Sequence, residues 1–158
     1  MLKKVYIETT IVSFLAGKPT NNLLTAAWQN ITNEWWEKRR VNFELYTSEL
    51  VIEEAGRGDP SAAEKRRQYL QGIPLFEFTD SVSKLSKKMI FPGILPEKAI
   101  NDALHISLAS IHKMDYLLTW NCKHIDNAEI KPIVRALLTK NGYFAPEICT
   151  PQELLGGE

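Results

Sequence analysis

What is scarce in this sequence narrows it first. Only two cysteines occur, Cys122 and Cys149, among 158 residues. Neither has a Cys or His partner at zinc-finger spacing, so neither a disulfide framework nor a structural zinc site is expected. Buried, reduced thiols in a cytoplasmic protein are the simpler reading. No run of about 18 apolar residues exists, which excludes a membrane-spanning helix. Lys3 and Lys4 precede an apolar stretch, but Glu8 interrupts it where a signal peptide would continue. A surplus of one charge is missing too. Nineteen basic residues balance nineteen acidic ones, so there is no broad electrostatic coat for nucleic acid, and any such contact has to be local. No Gly-rich loop and no Asp-x-Asp follow the first strand, which counts against a nucleotide-binding or phosphatase-like α/β protein. No internal repeat, low-complexity tract or long linker divides the chain. Residues 1–158 are therefore expected to form one domain, long enough to bury about 70% of the unfolded surface.

What is present is an alternation of short apolar runs with helical patterns. Val5-Tyr6-Ile7 reads as a buried strand, and residues 10–16 as a short helix. Leu24, Trp28, Ile31 and Trp35 make one helical stripe over residues 21–38. Residues 43–47 form a second strand, after which Ser48 caps a helix through about Ala55. The run from Gly56 to Pro60 breaks the chain. Residues 61–70 form a polar helix, residues 73–78 a third strand, and a helix follows from Asp80 or Ser81 to about Met89. Pro96 suits the first position of the next helix, which runs to about Lys113. Residues 116–119 form a strand, 130–139 a helix, and 147–150 a last strand. Strands separated by helices imply a parallel sheet covered on both faces. In such sheets the functional cleft lies beyond the carboxyl ends of the strands.

That rule gives the acids their interest. Glu8 ends the first strand, and Asn121 lies just past the fourth. Glu54 falls six residues after the Ser48 cap, on a helix that also carries Glu49 and Glu53. Asp102 lies at the edge of the apolar face of its helix, between Ile106 and Ala109 on the helical wheel. An acid there must be paired or metal-bound. Each has a plainer explanation when taken alone. Asp102 could pair with Lys98 one turn away, Glu54 could belong to a solvated acidic face, and Asn121 could be a turn residue. Together they offer oxygen donors suited to a hard cation such as Mg²⁺ or Mn²⁺. His105 and His124 read as structural residues or as supports behind the ligands. The basic runs 38–40 and 65–67 are candidate phosphate contacts, and solvated helix faces explain them equally well. Trp120 could stack on a base or belong to the core. Trp35, Trp36 and Phe14 could line an apolar groove, with Trp36 off the stripe and exposed.

VYIETTIVSFL, SELVIEEAGRGD, NDALHISLAS and DYLLTWNCKHI resemble, in this order, the acidic motifs of PIN domains, most closely VapC-type toxins of toxin–antitoxin pairs. The resemblance implies a three-layer α/β/α sandwich with a central, mostly parallel sheet. It implies a divalent-metal-dependent endoribonuclease, a hydrolase of phosphodiester bonds, located in the cytoplasm. It places the catalytic and metal positions on Glu8, Glu54 and Asp102, with Asn121 at the last motif position. Thr9, Asn101 and Thr119 become supporting donors. Mg²⁺ or Mn²⁺ is the implied cofactor, RNA the substrate and a small antitoxin protein the partner, with a homodimer left open. The first strand of the family normally ends in Asp, and its last motif position is acidic. Glu8 and Asn121 depart from that pattern, so a catalytically weak PIN-like module that binds RNA or protein is the alternative.

Overall fold

The computed structural model of the chain describes residues 1–156. The strands are β1 (Lys3–Ile7), β2 (Phe43–Ser48), β3 (Leu75–Phe76), β4 (Tyr116–Leu118) and β5 (Glu147–Cys149). The helices are α1 (Thr9–Leu15), α2 (Leu23–Lys38), α3 (Glu49–Ala55), α4 (Pro60–Leu70), α5 (Asp80–Ile90), α6 (Ile100–Ile111) and α7 (Lys131–Lys140). The five strands form one parallel sheet in the order β3-β2-β1-β4-β5. Val5 lies opposite Leu45 on one side and Tyr116 on the other, so β1 is the central strand. Its Val5, Tyr6 and Ile7 are wholly buried, as a strand covered on both faces requires.

The chain leaves β1 in one direction through β2 to β3, then crosses back to β4 and continues to β5. Right-handed crossovers put the two sets of connecting helices on opposite faces. Accordingly α1 packs on α2, α3 and α4, whereas α5 packs on α6. α7 shares a groove with α5, where Leu137 faces Lys84 and Phe91. The order reverses between β1 and β4. Beyond their carboxyl ends lies the crevice that this topology leaves open. The β1–β2 pairing ends at Tyr6 opposite Tyr46. The Ile7 carbonyl there accepts from the Thr47 hydroxyl instead (2.9 Å).

Local chemistry explains the helices that matter here. The Ser48 hydroxyl accepts from the Val51 amide (3.2 Å) and caps α3. In α6 every residue from Ala103 to Ser110 is buried, so its orientation is set by packing on all sides. The stripe of α2 docks through Trp35, while Leu24 at its start remains exposed. No helix among the described residues is long and apolar enough to cross a membrane.

Four expectations need correction. The third strand keeps only two of the six residues expected, because Pro74 has no N–H for a ladder; its carbonyl accepts from Thr47 (3.0 Å). Pro96 does not start a helix: it is extended, with φ −69° and ψ 157°, and precedes a 3₁₀ turn at Glu97–Ala99. α6 begins after that turn and ends before Lys113, whose φ is 54°. Trp36 is buried, edge-on to Tyr69 with the Arg40 guanidinium 4.7 Å from its ring centre. With Trp35 also buried, these two rings line no open groove.

Ser48 joins the fold to the crevice, since its hydroxyl also meets the Tyr6 hydroxyl at 2.8 Å. Ser48→Ala is expected to lose about 1–2 kcal/mol of folding stability, the usual cost of an N-cap. Urea denaturation would measure it; an unchanged midpoint would show that the cap is dispensable.

Candidate metal centre

Three elements deliver donors to the crevice. Glu8 follows β1 directly, and its amide still bonds the Leu118 carbonyl of β4 (3.2 Å). Its Oε1 accepts from Thr10 (2.5 Å) and Thr119 (2.6 Å). Glu54 comes from the last turn of α3. Its Oε1 accepts from the Thr9 hydroxyl (2.6 Å) and meets His105 Nε2 at 2.6 Å, and its Oε2 accepts weakly from Asn101 (3.4 Å). Asn101 and His105 are four residues apart on α6, hence on one face. One donor atom from each of Glu8, Glu54 and His105 lies within 4.8 Å of the others. Behind the ring, His105 Nδ1 meets the Tyr6 hydroxyl at 2.7 Å.

Asp102 points to a neighbouring part of the crevice. Its Oδ1 accepts from the Asn121 amide (3.0 Å), and its Oδ2 lies 3.0 Å from His124 Nδ1. Lys98 is not its partner. The Asn121 side-chain oxygen is turned the other way and accepts from the Lys123 and His124 amides (3.3 and 3.0 Å). Asn121 therefore holds Asp102 with its nitrogen and a turn with its oxygen.

Glu8 is 4% exposed, and among the described residues no Lys or Arg pairs with it. Burial pushes its carboxyl up, against the charge of His105 and the hydroxyls of Thr10 and Thr119. Burial acts on Glu54 in the same sense, but the His105 hydrogen bond and charge outweigh it, and its carboxyl falls below the ordinary value. His105 shows the converse. Burial works to lower it, yet the Glu54 bond and the charges of Glu8, Glu54 and Asp102 leave it raised. Two carboxylates and an imidazole, one carboxylate buried with no lysine or arginine beside it, form a donor set that fits a divalent cation.

No family model matches this sequence, and no curated protein sequence matches it. The structure does have likenesses. One is to the VapBC2 complex from Rickettsia felis bound to a DNA fragment from their promoter. The TM-score is 0.57 at 13% identity, over 93% of this chain and 98% of that one. The fold is PIN-like. At that identity the similarity shows the architecture and leaves the chemistry to be argued from the side chains.

On this PIN-like sheet the candidate residues fall into two sets. Glu8 and Glu54 stand together with Thr9, Asn101 and Thr119 hydrogen-bonded to their carboxylates. Asp102 and Asn121 form the second set with His124. From the sequence, Tyr6 and Thr10 have no assigned part and His105 reads as structural or as a support behind the ligands; its Nε2 meets the Glu54 carboxylate. A signal for Thr10 exists in Glu8-x-Thr10, a short side-chain bond across two residues. For Tyr6 the only hint was its place two residues before Glu8, on the same side of the strand. Trp120 belongs to the core: it stacks on Trp28 at 4.6 Å, and its Nε1 donates to Thr32 (2.7 Å).

These shifts make a prediction for the metal-free protein. The raised His105 contributes stability that is full below its ordinary 6.5 and is lost as pH rises through its folded value. The lowered Glu54 contributes stability present above its ordinary 4.5 and lost as pH falls through its folded value. The pair is thus most stabilising between those two ordinary values. The raised Glu8 has the opposite sign: its burial penalty is full only above its folded value. Glu8→Gln keeps the two hydroxyl partners and removes the charge, so its Tm in EDTA at neutral pH is expected to equal or exceed that of wild type. A clear drop in melting experiments would show that the Glu8 charge stabilises the fold.

Proposed function

We propose that the chain is a divalent-metal-dependent endoribonuclease, acting as the toxin of a toxin–antitoxin pair. The observation that carries this reading is the convergence of Glu8, Glu54 and His105 at the reversal point of the sheet, with Asp102 beside them. In this reading Glu8 and Glu54 hold the cation, Mg²⁺ or Mn²⁺, and Asp102 completes the acidic surround. A divalent cation there supplies Lewis-acid stabilisation of charge on a phosphodiester. Thr10 and Thr119 fix the Glu8 carboxylate, while Thr9 and Asn101 fix that of Glu54, so these groups are oriented before substrate arrives. Lys123 is exposed on the turn built by Asn121 and can meet a backbone phosphate. Of the basic run 65–67, Arg66 is committed to the Ala55 and Arg57 carbonyls (2.8 and 2.6 Å), which removes it as a phosphate contact. The Rickettsia felis neighbour is a VapBC2 complex, and this supports an antitoxin partner; a cytoplasmic setting belongs to the same proposal.

One observation favours a second reading, an RNA- or protein-binding module with weak catalysis. The Asn121 oxygen is spent on the backbone and brings no charge, so the acidic set is one group short of four.

The deciding experiment incubates purified protein with a mixed RNA pool, with Mg²⁺ or Mn²⁺ and with EDTA. Cleavage that EDTA abolishes is expected. Equal cleavage in both would end the metal mechanism, and binding without cleavage would favour the second reading. Expression of the chain alone is also expected to slow bacterial growth; normal growth with soluble, wild-type protein would count against the toxin role.

A further inference from the structure

The imidazole is the unusual member of the cluster. An all-oxygen site suits Mg²⁺, whereas a nitrogen donor shifts preference toward transition metals. His105 is placed to be such a donor. Its side chain is 1% exposed, and its Nε2 faces the Glu54 carboxylate. Its other nitrogen is pinned by Tyr6, itself wholly buried and anchored on Ser48. Histidine ligands are commonly held this way, with the second ring nitrogen bonded to a fixed oxygen that sets tautomer and ring orientation.

The hydrogen bonds can run in either direction. With the Ser48 hydroxyl donating to Tyr6 and Tyr6 donating to Nδ1, the ring proton sits on Nε2 and is shared with Glu54. With Nδ1–H donating to Tyr6 and Tyr6 donating to Ser48, the Nε2 lone pair meets the Glu54 carboxylate, with a Glu8 oxygen in the same 4.8 Å cluster. Reversal keeps the Ser48–Tyr6–Nδ1 contacts as hydrogen bonds and removes the proton that joins Nε2 to Glu54 at 2.6 Å. At 2.6 Å the shared proton is the positive centre between Nε2 and the Glu54 carboxylate; a divalent cation bound by both would take that proton's place.

We infer that His105 Nε2 is a direct ligand beside Glu8 and Glu54, and that the site takes a transition-metal ion of the Mn²⁺ class in preference to Mg²⁺. This rests on the cation site proposed above. Tyr6 acts through His105 as a positioning residue, orienting the ring and setting its tautomer.

Pulsed electron paramagnetic resonance on the full chain loaded with Mn²⁺ tests the ligand directly. Spin-echo modulation from a bound nitrogen is expected in wild type. It should persist in His124→Gln and vanish in His105→Asn. Tyr6→Phe should weaken Mn²⁺ binding by about 10- to 100-fold in titration calorimetry, the usual effect of removing the partner of a metal-binding histidine. Competition with Mg²⁺ should favour Mn²⁺ in wild type, and less so in His105→Asn. Mn²⁺ binding without nitrogen modulation in wild type overturns the histidine ligand and leaves the cation site standing. Modulation lost in His124→Gln assigns the nitrogen to His124 and also overturns it. Failure of wild type to bind Mn²⁺ removes both this inference and the cation site. Should His105→Asn fail to fold, the wild-type and His124→Gln spectra still decide.

Discussion

A buried carboxylate with no lysine or arginine beside it is the constraint around which this molecule is arranged. Glu8 sits at the carboxyl end of the central strand, where the sheet order reverses and helices of opposite faces meet. Taking a carboxylate out of water costs several kcal/mol unless charge and hydrogen bonds answer it. Here Thr10 and Thr119 answer part of it at 2.5 and 2.6 Å, and the nearest compensating positive charge is that of His105. His105 is in turn tied to Glu54 and Tyr6. The acids, the imidazole and the three elements that carry them therefore form one electrostatic unit.

The scaffold makes that unit rigid. β1 is paired on both sides and buried on both faces. α6 is buried over most of its length, so Asn101, Asp102 and His105 have little freedom in where they point. One residue of helical rotation separates the face that meets Glu54 from the one that meets Asn121 and His124. α3 depends on the Ser48 cap, and that same hydroxyl closes the chain from Tyr6 to His105. A site held by packed helices and strand ends is better suited to fixed ligand geometry than one carried on loops.

The likeness at 13% identity to a chain of the VapBC2 complex is understandable in these terms. Alternating strands and helices with right-handed crossovers limit the topology to few solutions, and many sequences satisfy them. The architecture therefore says where a site lies and little about its chemistry. The chemistry belongs to particular side chains, and two of them, Glu8 and His105, give this site its own character.

The sequence by itself determined the parallel α/β sheet, the position of nearly every element and the strand ends at which the acids gather. These are local properties: periodicity, caps and breakers act within a few residues. Thr9, Asn101 and Thr119 lie beside candidate site residues in the sequence, but the carboxylates they contact are distant ones: Thr9 and Asn101 bond Glu54, and Thr119 bonds Glu8. Tertiary structure alone decided which partners face one another. Tyr6 of β1 is joined to His105 of α6, the Trp36 ring is covered by Tyr69 from another helix, and the two-residue β3 is limited by a proline at the sheet edge. It also divided the acids into two sets, since Asp102 and His105, three apart on α6, reach different neighbours. Such choices depend on the rotation of one buried helix against strands far away in the chain, and no short stretch of sequence encodes that angle.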